Sequence, residues 1–133
     1  MVLALEREPD NRYDQYAVKV MAPAADLFPA AVLEDITRDH APIQRVKDVV
    51  GEMIGRVPRH LCEIISRGLR EGWLRRAVAF HTGGVDVDGP MRGGGPKLKA
   101  CYLLSLEPNR GMTMRRMADM IRPHLDNDEH IAL

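Results

Sequence analysis

The polar side chains best able to do chemistry are concentrated in residues 9–14, near the start of the chain. These six residues include two carboxylates, an amide, an arginine and a tyrosine. A flat tyrosine ring can stack on an unpaired base, and a carboxylate accepts a hydrogen bond from a sugar hydroxyl but repels a terminal phosphate. Tyr13 and Asp14 are therefore candidates for contacts to a nucleic-acid end that carries a free 3′-hydroxyl.

The same residues also have structural explanations. Tyr13 is then expected to pack against the mouth of a barrel, and Asp14 to cap the turn before Tyr16. A further alternative is a hydrolase or nuclease in which Asp10 and Asp14 hold a metal. The chain contains no Ser-His-Asp order, Walker loop, His-Glu-x-x-His or Cys-x-x-Cys motif. We therefore predict a protein that is not an enzyme and that binds no cofactor or metal.

Two short strands are predicted to position the polar stretch, because apolar and polar residues alternate on both sides of it. These strands are residues 2–7 and 16–21. Pro9 fixes its own φ, while Asp10 and Asn11 hydrogen-bond readily to nearby backbone, so a turn is predicted between the two strands.

A helix is predicted over residues 58–72, with Pro58 at its start and Gly72 at its end. One face of this helix carries a regular apolar stripe. The stripe consists of Leu61, Ile64, Ile65, Gly68 and Leu69. Arg56 and Arg59, next to the helix start, are suited to hold backbone phosphates by charge and by bidentate geometry.

The remaining segments predict further strands and helices. In residues 26–40, Phe28, Val32 and Ile36 repeat every four residues, which indicates a helix. A strand is predicted over residues 73–81, because its residues alternate. The side chains expected on one face of this strand are Leu74, Arg76, Val78 and Phe80. Residues 47–57 are predicted to form two strand pieces around Gly51, or one strand with a bulge there. The other predicted elements are a strand at 97–106, a helix at 113–122 and a frayed acidic tail at 126–129.

The composition of the chain is that of a globular protein rather than a disordered or membrane-spanning one. The 133 residues are 45% apolar and 29% charged, which is typical of one globular domain. The net charge is zero, but residues 55–76 hold six arginines and two glutamates, a local charge of +4. Cys62 and Cys101 are predicted to be buried free thiols. With no leader-like start and no apolar run of about 18 residues, we expect an intracellular protein, cytoplasmic if bacterial or phage, without a membrane partner.

Two motifs in this sequence resemble the HIRAN domain family, which occurs fused to Snf-type DNA translocases and as a free-standing bacterial and phage domain. The first motif spans the polar turn and the strand after it, and the second leads into the predicted helix. The motifs are Glu8-Pro9-Asp10-Asn11-x-Tyr13-Asp14-x-x-Ala17-Val18-x-Val20 and Ile54-Gly55-x-Val57-Pro58-Arg59. The resemblance extends over residues 3–72.

The resemblance implies an α+β fold, namely a small OB-like antiparallel β-barrel with two or three outer helices. The barrel domain would occupy residues 1–107, with an insertion at 23–47 and a flexible hairpin tip at 83–97. A C-terminal helix and an acidic tail would follow at 108–133. Family members have another strand, upstream of the position of Val2, which adds an aromatic and a basic residue to the binding pocket.

Family members such as the fork-remodelling translocases capture the 3′ ends of single-stranded DNA, and the resemblance implies the same function here. Tyr13 matches the base-stacking tyrosine and Asp14 the hydroxyl-binding aspartate, while Arg56 and Arg59 fall at positions of phosphate contacts. The predicted DNA-binding residues are Tyr13, Asp14, Arg56, Arg59, Arg12 and Asn11. The expected partners are single-stranded DNA or DNA ends, together with a DNA-processing enzyme of DNA repair.

The alternative function is a protein-interaction or oligomerisation module. The predicted last helix places Met114, Met117, Met120 and Ile121 on one side, and methionine adapts well to interfaces, although such a stripe is more often part of a core. An open barrel edge would offer a place for a partner strand. The sequence is compatible with a monomer or an oligomer.

Overall fold

The computed structural model describes residues 2–39, 41–86, 97–108 and 110–132. The strands found there are β1 (Val2–Arg7), β2 (Val18–Met21), β3 (Ile36–Arg38), β4 (Gln44–Arg45), β5 (Met53–Arg56), β6 (Leu74–Asp86) and β7 (Lys97–Leu106). Five of them form an antiparallel sheet in the order β5-β2-β1-β6-β7, and β3 and β4 form a separate hairpin.

Three α-helices accompany the sheet in the described residues. They are α1 (Ala30–Leu33), α2 (Arg59–Glu71) and α3 (Met114–Ile121). Short 3₁₀ helices occur at Ala25–Leu27, Val46–Asp48 and Arg122–His124. The α+β fold class is therefore confirmed. No helix in the described parts of the chain combines the length and the apolar character needed to cross a membrane.

The core lies between the sheet and the apolar faces of α2 and α3. Val18 is completely buried, and Leu5 on the neighbouring β1 is 6% exposed. Leu3 and Val20 pack against the same core, so the predicted alternation is confirmed for β1 and for β2, although β2 begins at Val18 rather than at residue 16 and Ala17 before it is also buried. The buried apolar residues of this cluster also include Val57, Leu61, Cys62, Ile65, Trp73, Leu74, Ala77, Ala79, Met117 and Ile121.

The predicted helix over residues 58–72 is confirmed as α2. Pro58 precedes its first residue, and Gly72, with φ of 80°, ends it by donating its N–H to the Gly68 carbonyl at 3.0 Å. Gly68 also allows α2 to lie close to β6. A Cβ atom at Gly68 would stand 2.7 Å from Leu74 Cβ and 2.8 Å from Trp73 Cη2.

The long hairpin formed by β6 and β7 is also confirmed, but the prediction of which β6 residues share a face is wrong. The register shifts between Leu74 and Arg76, so Arg76 is exposed whereas Ala77 is buried. A bulge of this kind moves the following side chains to the other face of the sheet. The predicted hairpin tip at 83–97 begins later than expected, because β6 continues to residue 86, and its residues 87–96 lie outside the described residues.

Two predictions within the connection from β2 to β5 are wrong. Residues 26–40 contain a 3₁₀ turn, the one-turn α1 and β3 instead of one helix, because Pro29 restricts the residue before it and β-branched Ile36 and Thr37 favour a strand. Residues 47–50 do not form a strand piece. A 3₁₀ turn and Gly51, at φ of 72°, lead the chain directly into β5.

The sheet is open within the described residues, since β5 and β7 are its edges and do not pair with each other. The expected antiparallel sheet is thus present, and its closure into an OB-like barrel stays a prediction. The cysteines are both free, but Cys101 is exposed rather than buried, because it lies opposite the half-buried Tyr102 in the alternation along β7.

The predicted last helix is confirmed as α3. Thr113 is its N-cap, and the threonine Oγ1 accepts a hydrogen bond from the Arg116 N–H at 3.1 Å. Met117 is buried in the core, whereas Met114 and Met120 are 61% and 38% exposed. The methionine-rich face is therefore divided between the core and the surface.

Candidate functional site

The polar turn between β1 and β2 is held by a network of local hydrogen bonds. The Glu8 N–H donates to the Ala17 carbonyl at 2.8 Å, which closes the base of the turn. Asn11 Oδ1 accepts from the backbone N–H groups of Tyr13 and Asp14 at 2.9 and 3.0 Å. Asn11 therefore has a structural role in positioning the two residues that follow it.

Tyr13 lies on the surface, with 92% of the residue exposed. The packing explanation of this residue, in which the ring is covered by a barrel mouth, does not agree with that exposure. An exposed aromatic ring on a hydrogen-bonded turn presents a flat apolar surface without the loss of backbone freedom that a flexible loop incurs on binding.

Asp14 contacts both its own turn and the first turn of α2. Its Oδ1 accepts from the Tyr16 N–H at 2.9 Å, so the predicted capping role is present. Its Oδ2 lies 3.5 Å from Cys62 Sγ and 4.0 Å from Arg59 Nε. The Asp14 side chain is 22% exposed and that of Arg59 is 85% exposed. The carboxylate is thus fixed in place while part of it still faces solvent.

Cys62 acts as a neutral hydrogen-bond donor beside this carboxylate. Burial raises the pKa of the Cys62 thiol to about 11, and the negative charge of Asp14 adds to the rise. A thiol with this pKa keeps its proton at neutral pH, so it is a poor nucleophile. The arrangement therefore favours a structural contact over covalent catalysis by Cys62.

Arg56 lies on β5 and forms a bidentate ion pair with Glu8. Its Nε and Nη2 atoms are both 2.9 Å from the Glu8 carboxylate oxygens. These hydrogen bonds lower the pKa of Glu8 to about 2, so the carboxylate stays charged across the physiological range. A phosphate must compete with Glu8 for Arg56. By contrast, exposed Arg12 forms no ion pair with any residue that the structure describes.

The fold thus divides the predicted site residues into two groups. Tyr13, Asp14 and Arg59 lie together where the turn meets the start of α2. Arg56 is instead paired with Glu8, at the start of the same turn. The sequence predicted these positions individually, but not the ion pair, because its two residues are 48 positions apart.

A groove between α2 and α3 was not predicted from the sequence. It has a volume of about 610 Å³ and begins at Arg59, beside Asp14. Arg67 on α2 and Arg116 on α3 both line it, and so does Trp73. The basic stretch at 55–76 was the available signal, but the opposite wall comes from α3, some 50 residues later in the chain.

The acidic tail is attached to α2, so the prediction that it is frayed is wrong. His60 Nε2 lies 2.8 Å from Glu129 Oε1 and 3.8 Å from Asp126 Oδ2. These three side chains have the composition of a metal site. However, Glu129 Oε1 also accepts from the Asp126 N–H at 2.7 Å, so hydrogen bonding accounts for the cluster. Leu125 and Ile131 pack against the core on either side of it.

Comparisons of the chain with family models, curated proteins and solved structures found no match. The resemblance to HIRAN domains therefore rests on the two sequence motifs alone. The fold places the first motif at the β1–β2 turn and the second at the junction of β5 and α2, and these two places meet at Asp14 and Arg59.

Proposed function

We propose that this protein is a non-enzymatic module that binds single-stranded DNA at a free 3′-hydroxyl end. The observation that carries the proposal is the position of Asp14. This carboxylate is fixed by a hydrogen bond, remains partly open to solvent, lies 4.0 Å from Nε of the exposed Arg59, and directly follows the exposed Tyr13 in the chain.

Each of the three side chains suits one part of a DNA end. The Tyr13 ring offers a stacking surface to the terminal base, which needs no particular base identity. The Asp14 carboxylate accepts a hydrogen bond from the 3′-hydroxyl. The Arg59 guanidinium, 4.0 Å from that carboxylate, is available to a nearby backbone phosphate because its side chain is 85% exposed.

The proposal includes Arg12 and Arg56 as secondary phosphate contacts. Arg12 is exposed next to Tyr13. The Arg56 side chain is 48% exposed but its charge is balanced by Glu8, so it contacts a phosphate only where that phosphate displaces the Glu8 carboxylate. Asn11 supports the site through the turn rather than by direct contact. Closure of the sheet into an OB-like barrel belongs to this proposal but is not required by these contacts.

The Asp14→Asn variant tests the role of the charge. Asparagine keeps an oxygen that can accept from the Tyr16 N–H, so the turn is retained while the negative charge is removed. Two unit charges 4 Å apart repel by roughly 4 kcal/mol at an effective dielectric constant of about 20, and salt reduces this at an exposed site. We expect the wild type to prefer a 3′-hydroxyl over a 3′-phosphate on the order of tenfold, and the variant to lose that preference.

Fluorescence anisotropy with the two labelled strands measures this preference. Asp10→Asn is the matched control, because it removes the same charge from the same turn at an exposed residue. An unchanged preference in the Asp14→Asn variant, or an equal loss in both variants, would rule out direct recognition of the hydroxyl by Asp14.

The alternative function, a protein-interaction module, is supported by apolar side chains on the surface. Met114 is 61% exposed on α3, and Met53 and Ile54 are 42% and 45% exposed on the edge strand β5. Methionine and an unpaired strand edge both favour contacts with another protein chain. Sedimentation coefficients that rise with protein concentration would support this alternative, and a strict monomer would count against self-association.

A further inference from the structure

We infer that the groove between α2 and α3 binds the sugar-phosphate backbone of the strand whose 3′ end is held at Tyr13 and Asp14. The inference rests on the proposed function and extends it from the terminal nucleotide to the nucleotides before it. It assigns a binding role to α3, which lies outside both motifs of the HIRAN resemblance.

The groove starts at the proposed end site and leads away from it. Arg59, at the beginning of α2, borders both the groove and Asp14. From there the groove follows one face of α2 as far as Glu71. The 13 residues from Arg59 to Glu71 span twelve helical steps, a length of roughly 18 Å, which accommodates several phosphates because one strand of duplex DNA carries a phosphate about every 3.4 Å along the helix axis.

The charge of the groove favours a polyanion. Its walls contribute four arginines and two glutamates. The glutamates already have partners: Glu63 pairs with Arg67 at 3.2 Å, and Glu71 accepts from Trp73 Nε1 at 3.1 Å and pairs with Arg70. The positive charge is therefore only partly balanced within the groove.

Two arginines on the α3 side supply the charge that remains unbalanced. Neither Arg110 nor Arg116 forms an ion pair with any residue in the described ranges. Both are exposed and line the groove. Because the whole chain has no net charge, this positive surface is a local feature and not a consequence of overall composition.

The walls also include apolar surface that suits bases. Met120 is 38% exposed, and half-buried Ile64 and Met112 lie along the same groove. The Arg67 guanidinium lies 5.7 Å from the centre of the ring of Tyr16, which follows the polar turn in the chain. The groove therefore combines one arginine held by neighbouring side chains, two arginines without ion pairs, and apolar surface, as single-strand binding surfaces do.

An acidic peptide is the competing occupant of the groove. Such a peptide would have no need of a groove that begins at the proposed binding site for a DNA end.

Arg116→Glu is the variant that tests the inference, and Arg115→Glu is its matched control. Both residues are exposed on α3 and both changes alter the charge equally, but only Arg116 lines the groove. The probes are oligothymidylates of three and twelve nucleotides with free 3′-hydroxyls. We expect Arg116→Glu to weaken binding of the twelve-nucleotide strand by about tenfold and to reduce the magnitude of its salt slope by about 0.7 or more. Binding of the three-nucleotide strand should change much less.

Each outcome decides between the end site and the groove. Equal effects of Arg116→Glu and Arg115→Glu would indicate that binding depends only on the overall charge of α3, and would overturn the inference. Equal affinity of the wild type for the two strands, with the 3′-hydroxyl preference intact, would overturn the groove and leave the end site standing. Absence of binding to both strands would overturn both proposals. Displacement of the twelve-nucleotide strand by polyglutamate at equal charge concentration would identify an acidic peptide as the better occupant.

Discussion

Replacing Tyr13 with alanine is expected to weaken binding of a single strand with a 3′-hydroxyl by roughly 5- to 150-fold. The physical reason is the loss of base stacking on the ring, which contributes about 1–3 kcal/mol per base. The free energy of unfolding should change little, because the residue is 92% exposed and its backbone N–H, not its ring, is bonded in the turn. Anisotropy titrations and urea denaturation measure the two quantities separately.

Tyr13→Phe is the control for this prediction. Phenylalanine keeps the flat ring and removes only the hydroxyl, so it should retain most of the wild-type affinity. If the alanine variant binds as tightly as the wild type, Tyr13 does not contact the base. If the phenylalanine variant loses as much affinity as the alanine variant, the hydroxyl rather than stacking is responsible.

Replacing Gly68 with valine is expected to lower the free energy of unfolding by about 3 kcal/mol, more than any other variant proposed for this protein. Any Cβ at this position would stand 2.7 Å from Leu74 Cβ and 2.8 Å from Trp73 Cη2, so α2 must move away from β6. Because α2 also carries Arg59 and Cys62, we expect that movement to disturb the contacts around Asp14 as well. Urea denaturation measures the loss.

Gly55→Val is the matched control for Gly68→Val. No atom lies within 4 Å of a Cβ built at Gly55, and its φ is not in the left-handed region. Valine also suits the strand β5, so this variant should remain within about 1 kcal/mol of the wild type. Similar losses in the two variants would show that close packing of α2 on β6 is not what makes glycine necessary at position 68.

Local signals in the sequence were sufficient where the structure depends on near neighbours. The α2 helix has an apolar stripe, Pro58 at its start and Gly72 at its end, and all three features act within a few residues. The polar turn was predictable for the same reason, because Asn11 and Asp14 bond to backbone groups two or three positions away.

Features that depend on distant residues could not be predicted in this way. The bulge after Leu74, which reverses the faces of β6, lies in the pairing of this strand with β7, some thirty residues later in the chain. The acidic tail is ordered because His60, on α2, binds Glu129, which is 69 positions away. The same limit applies to the site, since the Glu8–Arg56 ion pair and the α2–α3 groove each join segments that are far apart in the chain.

We propose that the turn and the start of α2 bind a free 3′ end through Tyr13, Asp14 and Arg59. The most direct test is fluorescence anisotropy of the wild-type protein at one fixed salt concentration. Three labelled ligands are compared: a single strand with a 3′-hydroxyl, the same strand with a 3′-phosphate, and a blunt duplex. We predict the tightest binding to the 3′-hydroxyl single strand. Equal affinity for all three ligands, or binding to none of them, would contradict the claim.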